Sequence, residues 1–182
     1  SRIYIFETNN PVRQMIEGAV DAAFALLLVI GLPALFGFFV LKGALIGKPL
    51  PTTVFLPGYV LAISASGAEL VWIALVSSGG YVAGQLVIYY GARRGGVSYI
   101  NSSPRFSVPQ HRLDQVERWF ETYGGVGIFV TNLAPYIRGL ITIPAAVANY
   151  PVSRLVVFVW SSTFIYHLAV VAAAVGLIRA IW

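Results

Sequence analysis

The chain has no cysteine, a single methionine and only two histidines. Without cysteine there can be no disulfide framework, thiol nucleophile or thiolate metal site. His111 and His167 lie far apart and form no metal-binding motif. Charge is scarce too. Only 10% of the residues are Asp, Glu, Lys or Arg, against about 25% in a soluble domain. Nothing resembles a nucleophile beside a base, a pair of catalytic acids or a metal constellation, so neither enzyme chemistry nor a cofactor is expected. Hydrophobic residues make up 58% of the 182, and the mean hydropathy is +0.78. That is the composition of a polytopic membrane protein. A net charge of +5 would suggest nucleic acid in a soluble domain. Here it reads as basic loops that face anionic lipid and set orientation, and no nucleic-acid partner is expected. No cleavable signal peptide is visible, and the start at Ser1 without methionine is what a chain trimmed at that end would show.

Uncharged runs of membrane length follow one another. Ala22 to Leu41, Leu70 to Ala92 and Leu155 to Ile178 each reach the ~20 residues a helix needs to cross a bilayer. The first is expected to kink at Pro33. Pro49 to Ala68 is also uncharged, but Pro49, Pro51, Pro57 and Gly58 interrupt it, which predicts a re-entrant hairpin. Gly80 and Gly84 sit at the small-xxx-small spacing that lets helices approach closely.

Arg138 is the only charge between Thr122 and Ser153. Around it, Pro135, Gly139 and Pro144 break the helix, which predicts a second hairpin. Non-helical backbone at membrane depth survives only when packed in protein or lining a wet cavity. A cation held there is a functional-site candidate. Two readings stay open: Arg138 caps the carbonyls of a broken helix, or it binds a phosphate. Asn132, Tyr136 and Thr142 are placed to donate hydrogen bonds beside it, with Pro135 at the break. Thr52 and Thr53 would do so from the first hairpin. Gln85, on one helical face with Tyr81 and Tyr89, would line the cavity or bond a neighbouring helix. His167, inside the last span, would bond a neighbouring helix or relay protons.

Between the halves, Arg93 to Tyr123 is the main polar segment, with Arg93, Arg94, Arg105, Arg112 and Arg118. Leu113, Val116, Phe120 and Tyr123 recur there at helical spacing, which predicts an amphipathic helix lying in the interface. Its arginines place this segment in the cytoplasm by the positive-inside rule. With three full spans, the N-terminus is expected in the cytoplasm and Trp182 outside. The expected fold is an all-α integral membrane protein forming one membrane domain over 1–182. Residues 1–43 form an N-terminal segment and first span. An inverted repeat of re-entrant hairpin plus transmembrane helix follows over 44–92 and 124–182, around the amphipathic linker 93–123. Corresponding broken segments in two such halves mark the substrate site of many secondary transporters.

Four stretches together resemble the DedA family, whose shared region is also called the VTT or SNARE-associated Golgi domain. They are Pro51 to Pro57, Gly80 to Arg93 with its Gly-x-Arg ending, Trp119 to Gly125, and Asn132 to Arg138 continuing to Ala146. The resemblance covers about residues 44–178. It implies lipid movement: flipping of a polyprenyl phosphate carrier of the undecaprenyl or dolichyl type, or scrambling of phospholipids, with Arg138 binding the phosphate. Partners would be membrane lipids with phosphate-bearing headgroups; a homo-oligomer is compatible with it. The location would be the plasma membrane of a prokaryote. Three positions depart from the family pattern. Thr53 stands where a Glu is usual, Gln85 where an Asp is usual, and Asn132 where the hairpin has its first Arg. Proton coupling through those acids is therefore not expected. The family's further C-terminal span is not found before Trp182. A proton- or ion-coupled transporter of a small solute, and a non-transporting scaffold joined through Gly80 and Gly84, are the alternative functions.

Overall fold

The computed structural model describes residues 11–44, 52–101, 110–134 and 138–181. Every element among them is a helix. They are α1 (Pro11–Ile30), α2 (Leu32–Gly43), α3 (Thr52–Ala62), α4 (Ala68–Asn101), α5 (Gln110–Leu133), α6 (Thr142–Val147) and α7 (Val152–Ile181). Among the described residues, two helices are long and apolar enough to cross a membrane: α4 over Ala68–Gly95 and α7 over Val152–Gly176.

The run from Ala22 to Leu41 is therefore not one continuous span. It breaks at Gly31, whose φ is 72°, into α1 and α2. The expected kink at Pro33 is displaced two residues, for a physical reason. Proline lacks an N–H and is comfortable in the first turn of a helix, so Pro33 opens α2. The bend falls on the residue without a side chain. α4 also runs further than the uncharged stretch and carries Arg93 and Arg94 on its own end. The amphipathic helix is the first part of α5, which breaks at Gly124 (φ 49°, ψ −130°) before its apolar second part.

The short helices α3 and α6 end alike. Each finishes in a residue with left-handed backbone, Ser64 (φ 52°) and Asn149 (φ 54°). In each, the next N–H reaches back five residues: Ala65 N–H to the Val60 carbonyl and Tyr150 N–H to the Ala145 carbonyl, both at 2.9 Å. This is the Schellman arrangement, which satisfies carbonyls that a helix end leaves open. At the start of α4 the Glu69 carboxylate accepts from the Ser66 N–H at 3.0 Å, which is one of the two bonds of a capping box.

Packing is regular. α2 lies along α4, and α5 along α7. α3 packs on α7, α6 packs on α4, and α4 and α7 pack on each other. Gly80 and Gly84 face α2: a Cβ on Gly84 would lie 2.6 Å from the Ala44 nitrogen. The interior holds Phe39, Phe55, Leu56, Ile73, Tyr89, Ile128, Leu155 and Val171. Trp72, Val87, Val157 and Ile165 point outward. With apolar groups on both sides, burial alone favours little in lipid; close packing and hydrogen bonds hold such helices together. Ser77, Ser78, Gln85, Asn132, Thr142, Ser162, Thr163 and His167 are all buried, and they tie α4 to α2, α6 and α7, and α5 to α7.

Candidate functional site

Arg138 follows the break after α5. Its backbone N–H bonds the Ala134 carbonyl at 3.0 Å, and Gly139 (φ 79°) turns the chain toward α6. The guanidinium carbon lies 4.5 Å from the centre of the Tyr81 ring on α4 and 4.3 Å from that of Tyr166 on α7. These cation–π contacts fix the group where two long helices meet. The residue is partly exposed, yet its Nε and Nη2 are buried and have no hydrogen-bond partner. An unsatisfied buried donor costs about 1–3 kcal/mol, and more when it is charged. The sequence has no acid between Asp21 and Glu69 or after Glu121, and Glu69 is engaged at the start of α4. The site is a partly exposed cation with two buried donors open.

Gln85 anchors its floor. Its Nε2 donates to the Gly43 carbonyl on α2 at 2.5 Å, and its Oε1 accepts from the Thr142 hydroxyl on α6. Both are fully buried. Gly139 lies against them: a Cβ there would come within 2.6 Å of both Gln85 Nε2 and the Tyr81 hydroxyl. Only glycine fits at this approach and this φ. Arg138, Gln85 and Thr142 are thus brought together around Tyr81.

The remaining expected site residues are dispersed. Asn132 is turned into α7, where its Nδ2 meets Ser162 Oγ (2.8 Å), Thr163 Oγ1 (2.9 Å) and the Val159 carbonyl (3.3 Å). Thr52 is buried at the start of α3, and Thr53 beside it is exposed. Pro135 and Tyr136 lie outside the described residues. His167 has the expected tie to a neighbouring helix: its Nδ1 is 2.9 Å from Ser77 Oγ and 3.3 Å from Ser78 Oγ on α4. Its ring packs on Phe39, and its Nε2 is buried without a partner.

Sequence reasoning missed Tyr166. A tyrosine in an apolar span reads as packing, and no local motif marks it. One signal was available. Tyr81 and Tyr166 are 85 residues apart, as are Ser64 and Asn149, and Ser77 and Ser162.

The model of the VTT domain matches residues 50–176. Over 95 residues the chain is 33% identical to undecaprenyl phosphate transporter A of Bacillus subtilis (strain 168), covering 48% of each chain. Over 101 residues it is 32% identical to the uncharacterized membrane protein YkoX of the same organism, covering 55% of this chain and 46% of that one. The chain spans about half the length of these curated relatives. No solved structure matches it. With α4 and α7 long and apolar enough to cross a bilayer, and with the VTT match spanning both as far as Gly176, the chain is an integral membrane protein of the VTT-domain, or DedA, family.

Proposed function

We propose that the protein moves a polyprenyl phosphate carrier across the bilayer, with Arg138 binding the phosphate. One observation carries the reading: a buried guanidinium, held by two aromatic rings, with Nε and Nη2 unpartnered. A phosphate oxygen supplies what those donors lack, and a charge-assisted pair in a dry site is strong. Only the headgroup needs a polar path, because the prenyl tail stays in the surrounding lipid. The name of the similar Bacillus protein, a transporter of undecaprenyl phosphate, supports this substrate. A plasma-membrane location in a prokaryote belongs to the same proposal. Gln85 and Thr142 hold the floor of the site. Thr52, Thr53, Pro135 and Tyr136 are proposed to line the path to it, while Asn132 is held against α7.

An inverted repeat gives the site its position. In this reading α2, α3 and α4 correspond to α5, α6 and α7, and the two short helices with their flanking segments form re-entrant hairpins. The reciprocal packing supports it, since α3 meets α7 and α6 meets α4. The two Schellman ends and the common 85-residue spacing support it further. Arg138 would then sit near the midplane, where the two long helices cross.

Lipid transfer in liposomes tests the proposal, with thermal stability measured on the same preparations. Arg138→Ala should abolish transfer of a polyprenyl phosphate and remain folded. Arg138→Lys should keep part of it, because a point charge replaces the planar fork. Undiminished transfer by folded Arg138→Ala would overturn the proposal.

A further inference from the structure

His167 brings another open nitrogen to the wall that holds Arg138. Its side chain is fully buried, and its Nε2 has no hydrogen-bond partner. Two helices set its place. On α4, Ser77, Tyr81 and Gln85 follow at four-residue steps, so they share one face at about 6 Å per step. His167 is fixed at Ser77, Arg138 lies against the Tyr81 ring, and Thr142 is bonded to Gln85. On α7, the chain neighbour of His167 is Tyr166, the other ring against Arg138. The imidazole centre is 5.9 Å from that of Tyr166 and 6.5 Å from that of Tyr81. Guanidinium and imidazole therefore border the same two rings, one turn of α4 apart.

The hydrogen bonds assign the imidazole proton. The Ser78 hydroxyl donates to the Ala74 carbonyl at 2.5 Å. Ser77 Oγ is 2.9 Å from Nδ1 and 3.2 Å from that same carbonyl. With the carbonyl served by Ser78, the Ser77 hydroxyl donates to Nδ1 through the shorter contact. A neutral imidazole that accepts at Nδ1 carries its proton on Nε2. The open nitrogen is thus a donor, like the open Nε and Nη2 of Arg138. A buried donor without an acceptor is costly, and an oxyanion serves several donors at once.

We infer that His167 is a further phosphate-binding residue, donating from Nε2 to a phosphate oxygen beside those held by Arg138. The inference rests on the reading of Arg138 as the phosphate ligand. One ring then does two things: Nδ1 ties α7 to α4, and Nε2 takes the headgroup. A ring held at Nδ1 does not turn freely, so its other nitrogen is preorganised for the anion. The proton stays on the ring, and His167 donates a bond without transferring anything.

Two amide substitutions separate the two nitrogens. Asparagine matches the reach of Nδ1, and glutamine that of Nε2. His167→Asn should keep the tie to Ser77 and lose the donor; His167→Gln should lose the tie and restore the donor. In liposome transfer, His167→Asn should raise the half-saturating concentration of a polyprenyl phosphate roughly tenfold or more, the scale of one hydrogen bond to a charged group. His167→Gln should raise it less. A ring that only ties the helices gives the reverse order, and that order in folded variants would overturn the inference.

A second measurement leaves His167 in place, so misfolding of these variants cannot shelter the inference. The chain has only two histidines, and His111→Gln leaves His167 as the single source of imidazole nitrogen signals. Solid-state NMR of that protein in lipid, with isotope-labelled histidine and arginine, reads whether the phosphorus of bound polyprenyl phosphate dephases Nε2. The Arg138 signal is assigned by its loss in Arg138→Lys. Dephasing of both Nε2 and the Arg138 guanidinium is expected. Dephasing of Arg138 alone would overturn the inference and leave Arg138 as the phosphate ligand. Dephasing of neither would remove both readings. Dephasing by inorganic phosphate but not by the lipid would also overturn it, since the nitrogen would then meet a free anion and not a headgroup.

Discussion

Tyr81 and Tyr166 stand 85 positions apart, on α4 and α7, and both rings lie against the same guanidinium, at 4.5 and 4.3 Å. Each long helix contributes one ring, so the position of Arg138 depends on how the helices pack. Tyr166→Phe keeps the ring face and should leave transfer close to that of the unmodified protein. Tyr166→Leu removes a contact worth about 0.5–2 kcal/mol, and should lower transfer roughly two- to thirtyfold. Matching rates for the Phe and Leu variants in liposomes would show that the ring does not hold Arg138 in its working place.

Gly139 is the tightest point of the site. Its φ of 79° disfavours any side chain, and a Cβ would press on Gln85 and the Tyr81 hydroxyl at 2.6 Å. Overpacking of this kind costs about 1–3 kcal/mol, on top of the left-handed backbone penalty. Gly139→Ala should therefore lower the thermal midpoint in detergent and also reduce transfer, because Arg138 is the adjacent residue. Gly91 makes a control: a Cβ there meets nothing within 4 Å, and Gly91→Ala should leave the midpoint unchanged or raised.

Much of this arrangement was legible in the chain. Long uncharged runs announced α4 and α7, and the lone cation among prolines and glycine announced the site. The division of the first apolar run was misplaced because proline was read as a breaker, when its missing N–H suits the start of α2. Asn132 and Gln85 look alike as membrane-embedded amides, yet one is absorbed by α7 and the other floors the site. Helical spacing gives a residue's face but not which partner helix covers it.

Neither Thr53 nor Gln85 can ionise, so transfer by the unmodified protein should respond little to a proton gradient. Gln85→Glu would place a carboxyl beside Arg138 while still accepting from Thr142. Ionised, it would pair with the guanidinium and compete with the phosphate; protonated, it would not. Transfer by this variant should therefore be highest at low pH and fall as pH rises through the carboxyl's titration. Rates in liposomes clamped at a series of pH values measure this. A steep, saturable gradient dependence in the unmodified protein would contradict the expectation and direct attention to His167, whose Nε2 is buried and unpartnered.

Asn132 stands where the resemblance to the family leads one to expect an arginine, and the structure makes that exchange costly here. The side chain is fully buried, and its Nδ2 is directed at three acceptors on α7. Asn132→Ala removes those bonds. Ser162 still donates to the Phe158 carbonyl at 2.7 Å, so the loss should be about 1–3 kcal/mol. Asn132→Arg is different. It forces a longer side chain and a further cation into closed packing, and no described carboxylate is at hand to pair with it. A buried charge without a partner is far more costly than a missing hydrogen bond. The order of thermal midpoints should be unmodified, then Asn132→Ala, then Asn132→Arg, with the last near the limit of folding. A stable Asn132→Arg protein with faster lipid transfer would reverse this, because it would mean that the pocket on α7 opens to admit a phosphate.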